Sequence, residues 1–150
     1  MSNHPTSFDE WQNYPSTLDP IHISWLKNAK KSKTAFAVAD IEGVEISHKR
    51  FLTGVLLFSK KIAQYSPEKN VGLLLPSSGG GAIASIAILS LGKTIVNLNF
   101  TAGKKAPQSA AEQAEVKHIY TSRKFLDKML ERGMDLASFF TKSKLIMLED

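Results

Sequence analysis

The spacing of apolar residues changes from stretch to stretch along this 150-residue chain, and each spacing predicts an element. Residues 1–20 show no period. Pro5, Pro15 and Pro20 stand among Ser, Thr and Asn, the make-up of a loose arm or linker. In "DPIHISWLKNAKK" (19–31), Ile21, Trp25 and Leu26 share one side of a short amphipathic helix, with Asp19 before Pro20 as its start signal. "TAFAVADIEGVEISH" (34–48) predicts a β-hairpin: a run from Ala35 to Ala39, a turn at Glu42-Gly43 and a return from Val44 to Ile46. Ser47 is placed to cap the helix that follows. There Phe51, Val55, Phe58 and Ile62 recur at three- and four-residue steps, so one face is buried, and Pro67 ends it.

Beyond Pro67 the pattern alternates. "NVGLLL" (70–75) has no polar alternation, as in strands buried on both faces of a parallel sheet. An apolar helix (80–91), a strand "TIVNLNF" (94–100), a helix "KKAPQSAAEQAE" (104–115) and a strand "VKHIYT" (116–121) follow. Next come a helix capped by Ser122 and stopped by Gly133, and a strand "KLIML" (144–148). Right-handed βαβ crossovers turn this order into a parallel sheet covered on both sides. The expected fold class is α/β, a mainly parallel sheet flanked by helices with a small hairpin near the start. The chain stops at "MLED", where a helix should follow, and this reads as a cut. The expected organisation is an arm over 1–20 and an α/β unit over 21–150, truncated at 150.

Composition narrows the function classes. At 43% hydrophobic and 22% charged, the chain is ordinary globular material. It has no cysteine, which excludes a disulfide framework, a thiolate metal site and a cysteine nucleophile, and fits a reducing compartment. The formal charge is +5, densest in "LKNAKKSK" (26–33) and "SRKFLDKMLER" (122–132). Because the lysines are spread, they read first as solvated helix faces and second as docking to an anionic partner; nucleic acid is not an expected partner. Asp9, Glu10, Trp11 and Gln12 stand where a signal peptide would be apolar. The most apolar run, 82–91, falls far short of the ~20 residues a membrane span needs.

Candidate chemistry centres on "VGLLLPSSGGGAIASIAILSLGK" (71–93). Gly79, Gly81 and Ala84 match the G-x-G-x-x-A spacing of a dinucleotide loop, between a strand and a helix. The acid that should hold the ribose about 20 residues on is missing; Asn97 and Asn99 stand there. Pro76, Ser77 and Ser78 also lengthen the turn, so small residues for close helix packing are the first reading. Gly92-Lys93 lacks the leading glycine of a phosphate loop and sits at a helix end. His4, His22, His48 and His118 have no ligand spacing, and "PSSGGG" is no nucleophile elbow. Glu112 and Glu115 read as a wet helix face. No catalytic, cofactor-binding or metal-binding residue is assigned.

The block "VGLLLPSSGGGAIASIAILSLGKTIVNLNFTAGKKAPQSAAEQAEVKHIYTSRKFLDKM", closed by "LIMLED", resembles the start of the AMP-binding domain in acyl-acyl-carrier-protein synthetases. It is most similar to the synthetase half of the bifunctional Aas-type 2-acylglycerophosphoethanolamine acyltransferase/acyl-ACP synthetases. "VNLNFTAG" and "TSRKFLDK" are the telling phrases, and the resemblance spans about 34–150. It implies a ligase that activates a fatty acid with ATP and magnesium to an acyl-adenylate. The acyl group then passes to acyl carrier protein, feeding lysophospholipid re-acylation at the cytoplasmic face of the bacterial inner membrane. The family's Pro-Lys-Gly phosphate loop, acidic metal ligands and C-terminal lysine match no stretch here, so none of its functional residues is carried over. By this resemblance residues 1–150 alone are inactive and bind no cofactor, and residues 76–84 are a turn into a packing helix. Fusion to an acyltransferase is possible for the parent, but His4 and Asp9 stand in the loose arm and are not read as its acid–base pair. Faces meant for the rest of the parent would be apolar and open to self-association. The alternatives are a ligase using coenzyme A, a standalone dinucleotide-binding α/β domain, and a non-catalytic module meeting acidic carrier protein or lipid through its lysines.

Overall fold

A computed structural model describes residues 19–40 and 45–150. The arm expected over 1–20 lies almost wholly outside the described residues, as does the turn at Glu42-Gly43. Helix α1 (Ile21–Lys31) begins behind Pro20, whose carbonyl accepts from the amides of Ile23 and Ser24. Its inner side is set by Trp25 and Ala29, four residues apart; Trp25 packs on Phe51 with ring centroids 4.8 Å apart. Ile21, expected on that side, is 66% exposed, because the helix's first turn stays outside the contact.

Strands β1 (Phe36–Ala39) and β2 (Glu45–Ser47) pair antiparallel. The register pairs Phe36 with Ser47 and Val38 with Ile46, and it shifts between Phe36 and Val38. This bulge lets Ala37 and Val38 both pack inward and leaves Phe36 outside. Helix α2 (His48–Tyr65) follows, with Ser47 Oγ accepting from the Arg50 amide as expected. It buries His48, Phe51, Val55 and Ile62 and stops just before Pro67.

The main sheet holds β3 (Asn70–Leu73), β4 (Thr94–Asn97), β5 (His118–Thr121) and β6 (Lys144–Met147), all parallel, in the order β4-β3-β5-β6. Each strand is shorter than its apolar run, but the ladder continues past it. The amides of Leu74, Leu98 and Leu148 donate to the carbonyls of Tyr120, Leu73 and Thr121. Helices α3 (Gly79–Ser90), α4 (Lys105–Gln113) and α5 (Arg123–Glu131) alternate with these strands. Short 3-10 turns at Phe100–Ala102 and Ala137–Phe139 were not foreseen in the sequence.

The order explains the layering. From β3 the chain steps to one neighbour, and from β4 it returns past β3 to the other. Right-handed crossovers therefore place α3 on one face and α4 and α5 on the opposite face. One buried cluster joins Phe51, Val55 and Ile62 of α2 with Ala84, Ala87 and Ile88 of α3 and with Val71, Leu73 and Tyr120 of the sheet. The other joins Ala111 of α4, Phe125 and Met129 of α5, and Leu74 and Ile119 beside them. Helix α3 is apolar all round because α2 covers it on one side and the sheet on the other. Among the described residues no helix is long and apolar enough to cross a membrane.

Candidate functional site

In an open parallel sheet, ligands bind beyond the carboxyl ends of the strands, where neighbouring connections leave for opposite faces. Here that place is the end of β3, whose connection goes to α3 while those of β4 and β5 go the other way. Two cavities flank it. One, of about 740 Å³, lies toward β5 and β6 and is lined by Phe58, Leu75, Phe100, Phe125, Met129 and Leu148. Ser122, Lys124, Lys128, Arg132 and Glu149 stand at the same cavity. The other, of about 830 Å³, lies toward β4 and is bordered by Asn97, Asn99, Thr101 and the turn from Leu75 to Ser78. Asp40 lines both cavities.

The glycine-rich turn lies between them, and one of its amides is engaged from within. Ser78 Oγ accepts from the Gly81 amide at 3.1 Å, capping α3. A Cβ on Gly79 would meet Ile46 Cδ1 at 2.6 Å, and one on Gly81 would meet the Pro76 carbonyl oxygen at 3.1 Å. Neither glycine has positive φ. They are small so that β2 and the turn itself can close on the first turn of α3. At the end of β4, Asn97 and Asn99 replace the acid a ribose would need, and Asn99 Oδ1 accepts from the amide and the hydroxyl of Thr101. The glycines thus serve packing and the ribose acid of a dinucleotide loop is missing, so no step through ATP is derived from the loop.

The start of α5 is also filled from within. The Glu149 carboxylate accepts from Ser122 Oγ at 2.7 Å and from the Arg123 amide at 3.1 Å, and Arg123 also pairs with Asp150. Burial pushes the Glu149 carboxyl up. The Ser122 hydroxyl, the backbone amides and the Arg123 charge outweigh it and hold the group below its usual range.

The remaining sequence candidates do not converge. His22 lies in α1, His48 is buried against Trp25, and His118 Nδ1 stands 2.8 Å from Glu68 Oε1 at the amino end of the sheet, opposite the cavities. His4 lies outside the described residues. Among the described residues, no group of three or more His, Cys, Asp or Glu is placed to hold a metal. Glu112 pairs with Lys142 at 2.9 Å on the surface, so Glu112 and Glu115 are a wet face. Sequence reasoning missed the Glu149 clamp and the Glu68–His118 pair. Neither has a local spacing signal, since the partners lie 27 and 50 residues apart.

The fold has counterparts among solved structures. The chain superposes on the nonribosomal peptide synthetase FmoA3, solved with alpha-methyl-L-serine-AMP bound, with a TM-score of 0.69, 14% identity and 94% of this chain covered. O-succinylbenzoate coenzyme A synthetase MenE from Bacillus subtilis, solved in complex with AMP, gives a TM-score of 0.67, 16% identity and 87% coverage. The N-terminal subdomain of NpsA from Klebsiella oxytoca gives 0.61, 12% and 69%. The fold is that of the N-terminal subdomain of adenylate-forming enzymes. The small antiparallel hairpin is present beside the parallel sheet, as the sequence led us to expect. No protein-family model matches the chain. The chain spans 16%, 32% and 28% of those three proteins, respectively.

Proposed function

We propose that the chain forms the front of an ATP-dependent acid–thiol ligase that activates a fatty acid and passes it to acyl carrier protein. One observation carries the coarse reading: the likeness in fold to AMP-bound adenylate-forming enzymes over 87–94% of the chain. The finer reading rests on the resemblance of "VNLNFTAG" and "TSRKFLDK" to acyl-ACP synthetases. In such a reaction a carboxylate attacks the α-phosphate of ATP and pyrophosphate leaves. The acceptor thiol then attacks the acyl-adenylate carbonyl and AMP leaves. Magnesium would offset charge on the phosphates. None of these steps is assigned to a side chain among the described residues. The role proposed for them is to build the wall against which the catalytic portion closes. Use of the acyl group in lysophospholipid re-acylation, at the cytoplasmic face of the inner membrane, belongs to the same proposal.

The test is fatty-acid-dependent ATP–pyrophosphate exchange by the product of the whole reading frame, with acyl carrier protein and coenzyme A offered separately as acceptors. Exchange by the whole product, thioester on the carrier protein and none from residues 1–150 alone is the expected result. Transfer to coenzyme A alone would move the proposal to an acyl-CoA ligase. A reading frame that ends at Asp150 would overturn it.

A further inference from the structure

The fold gathers cations that the sequence keeps apart. Lys30 and Lys31 close the last turn of α1, Lys33 follows, and Lys49 and Arg50 open α2. The Lys49 amide donates to the Lys33 carbonyl at 2.9 Å and the His48 amide to that of Ala35 at 3.0 Å, so both helix ends meet at one corner. All five cations are exposed, and none is ion-paired to another described residue. Phe36, turned outward by the bulge in β1, lies at the same corner and is 55% exposed.

Helix stability accounts for only part of this. Positive charge suits the carboxyl end of a helix, which explains Lys30 and Lys31. It opposes the amino end, yet Lys49 and Arg50 sit there and no acid occupies that first turn. A local stability cost at a solvated corner, beside an aromatic ring turned away from the core, indicates a surface under another demand.

We propose that this corner, Lys30, Lys31, Lys33, Lys49 and Arg50 around Phe36, docks on an anionic lipid surface. Four of the five cations are lysines, compact charges on flexible stems, suited to a diffuse layer of headgroups more than to forked recognition of one partner group. Neither of the two cavities beside β3 is lined by these residues, so the corner is a surface separate from them. A lone exposed aromatic beside a polybasic cluster is the arrangement that inserts at the headgroup boundary. The inference concerns a surface remote from the β3 cavities and stands whether or not the ligase reading holds.

The experiment is co-sedimentation of the full 150-residue chain with phosphatidylcholine vesicles, plain or carrying roughly a third phosphatidylglycerol. Binding is expected to the anionic vesicles only and to fall with added salt. Each cation removed should weaken it about fivefold, so Lys30→Gln/Lys31→Gln/Lys33→Gln should lose about a hundredfold. Phe36→Ser should lose about tenfold. A charge-matched control, Lys69→Gln/Lys105→Gln/Lys117→Gln, alters exposed lysines elsewhere and should lose much less. Circular dichroism melts check that each variant folds; if Phe36→Ser does not, the charge variants decide alone. An equal loss in the control would reduce the effect to net charge and overturn the proposal. So would binding to polyglutamate or poly-uridylate with none to vesicles, which would make the corner a protein or nucleic-acid surface.

Discussion

At the scale of single residues, the glycine turn separates packing from ligand binding. A Cβ on Gly79 would press the far end of the Ile46 side chain at 2.6 Å, whereas one on Gly80 would meet only Ser78 Oγ, at 3.9 Å. Gly79→Ala should therefore destabilise by about 1 kcal/mol, as the end of the Ile46 side chain is pushed off its rotamer. Gly80→Ala, in the same helical turn, should be neutral or stabilising by up to about 1 kcal/mol, since alanine is the better helix former. Urea denaturation of the two variants decides this, and equal losses would remove the packing account. A second residue-scale case is Tyr120, fully buried, with its hydroxyl 2.9 Å from Ser66 Oγ. Tyr120→Phe leaves the buried Ser66 hydroxyl without that partner and should cost about 1–3 kcal/mol. The double variant Tyr120→Phe/Ser66→Ala should cost less than the sum of the two singles. Burial pushes the Tyr120 hydroxyl above its usual 10.0, against the opposing Ser66 bond and with smaller pushes from Glu68 and Tyr65. Native protein thus holds this proton more tightly than unfolded chain. Its contribution is fully present below pH 10.0 and is lost as pH rises through the higher native value. In Tyr120→Phe that part of the alkaline loss should vanish.

At the scale of elements, boundaries were legible wherever a local chemical signal sets them. Ser47 and Ser122 cap two helices as their sequence signals led us to expect, and Gly133, at φ 79°, follows the end of α5; the Ser78 cap of α3 reads in the sequence only as part of a longer turn. The hairpin and the alternation of strand and helix were legible from the switch of period. The bulge was not, because the inward turn of Ala37 beside Val38 depends on α2 and α3 lying beneath them. Strand ends were overshot because apolar runs continue into buried loops, where Leu74 and Leu98 still donate to neighbouring strands. The candidate site was less legible still. The sequence pointed to the glycines, whereas the cavities beside them arise from strand order, which no single stretch encodes. The Glu149 clamp belongs to this scale, since it ties the end of β6 to the start of α5. Ser122→Ala removes both the cap and a donor to Glu149 and should cost about 1 kcal/mol. Glu149→Gln should cost about 0.3–1 kcal/mol, being exposed and screened by salt. Because the native Glu149 value is lowered, its contribution is present above about pH 4.5 and lost as pH falls through the native value. An acid titration of stability that is unchanged in Glu149→Gln would contradict the clamp.

At the scale of the whole molecule, the question is whether the described residues form one folding unit or two layers joined by a sheet. The two apolar clusters lie on opposite faces, but they share strands only four residues long. Adjacent residues of one strand serve opposite clusters: Ile119 and Tyr120 are both fully buried, one on each side. Losing either layer exposes half of every strand, so neither layer has a sheet to rest on without the other. Unfolding should therefore be a single transition. Phe51→Ala, on the α2 side, and Phe125→Ala, on the α5 side, should each cost about 3–5 kcal/mol and lower the same midpoint. Trp25 packs on Phe51 and so reports on the first layer, while far-ultraviolet dichroism reports on all helices. Coincident midpoints in both signals, in the parent chain and in both variants, are expected. If Phe125→Ala separated the two signals, with Trp25 melting later, the α2–α3 side would be an independent unit. The wall proposed for the ligase would then be that layer alone, and the cavity between β3 and α5 would be a feature of assembly rather than of the folded chain. One midpoint would instead mean that both cavities beside β3 are fixed by the same cooperative core, present before any ligand or further domain closes on them.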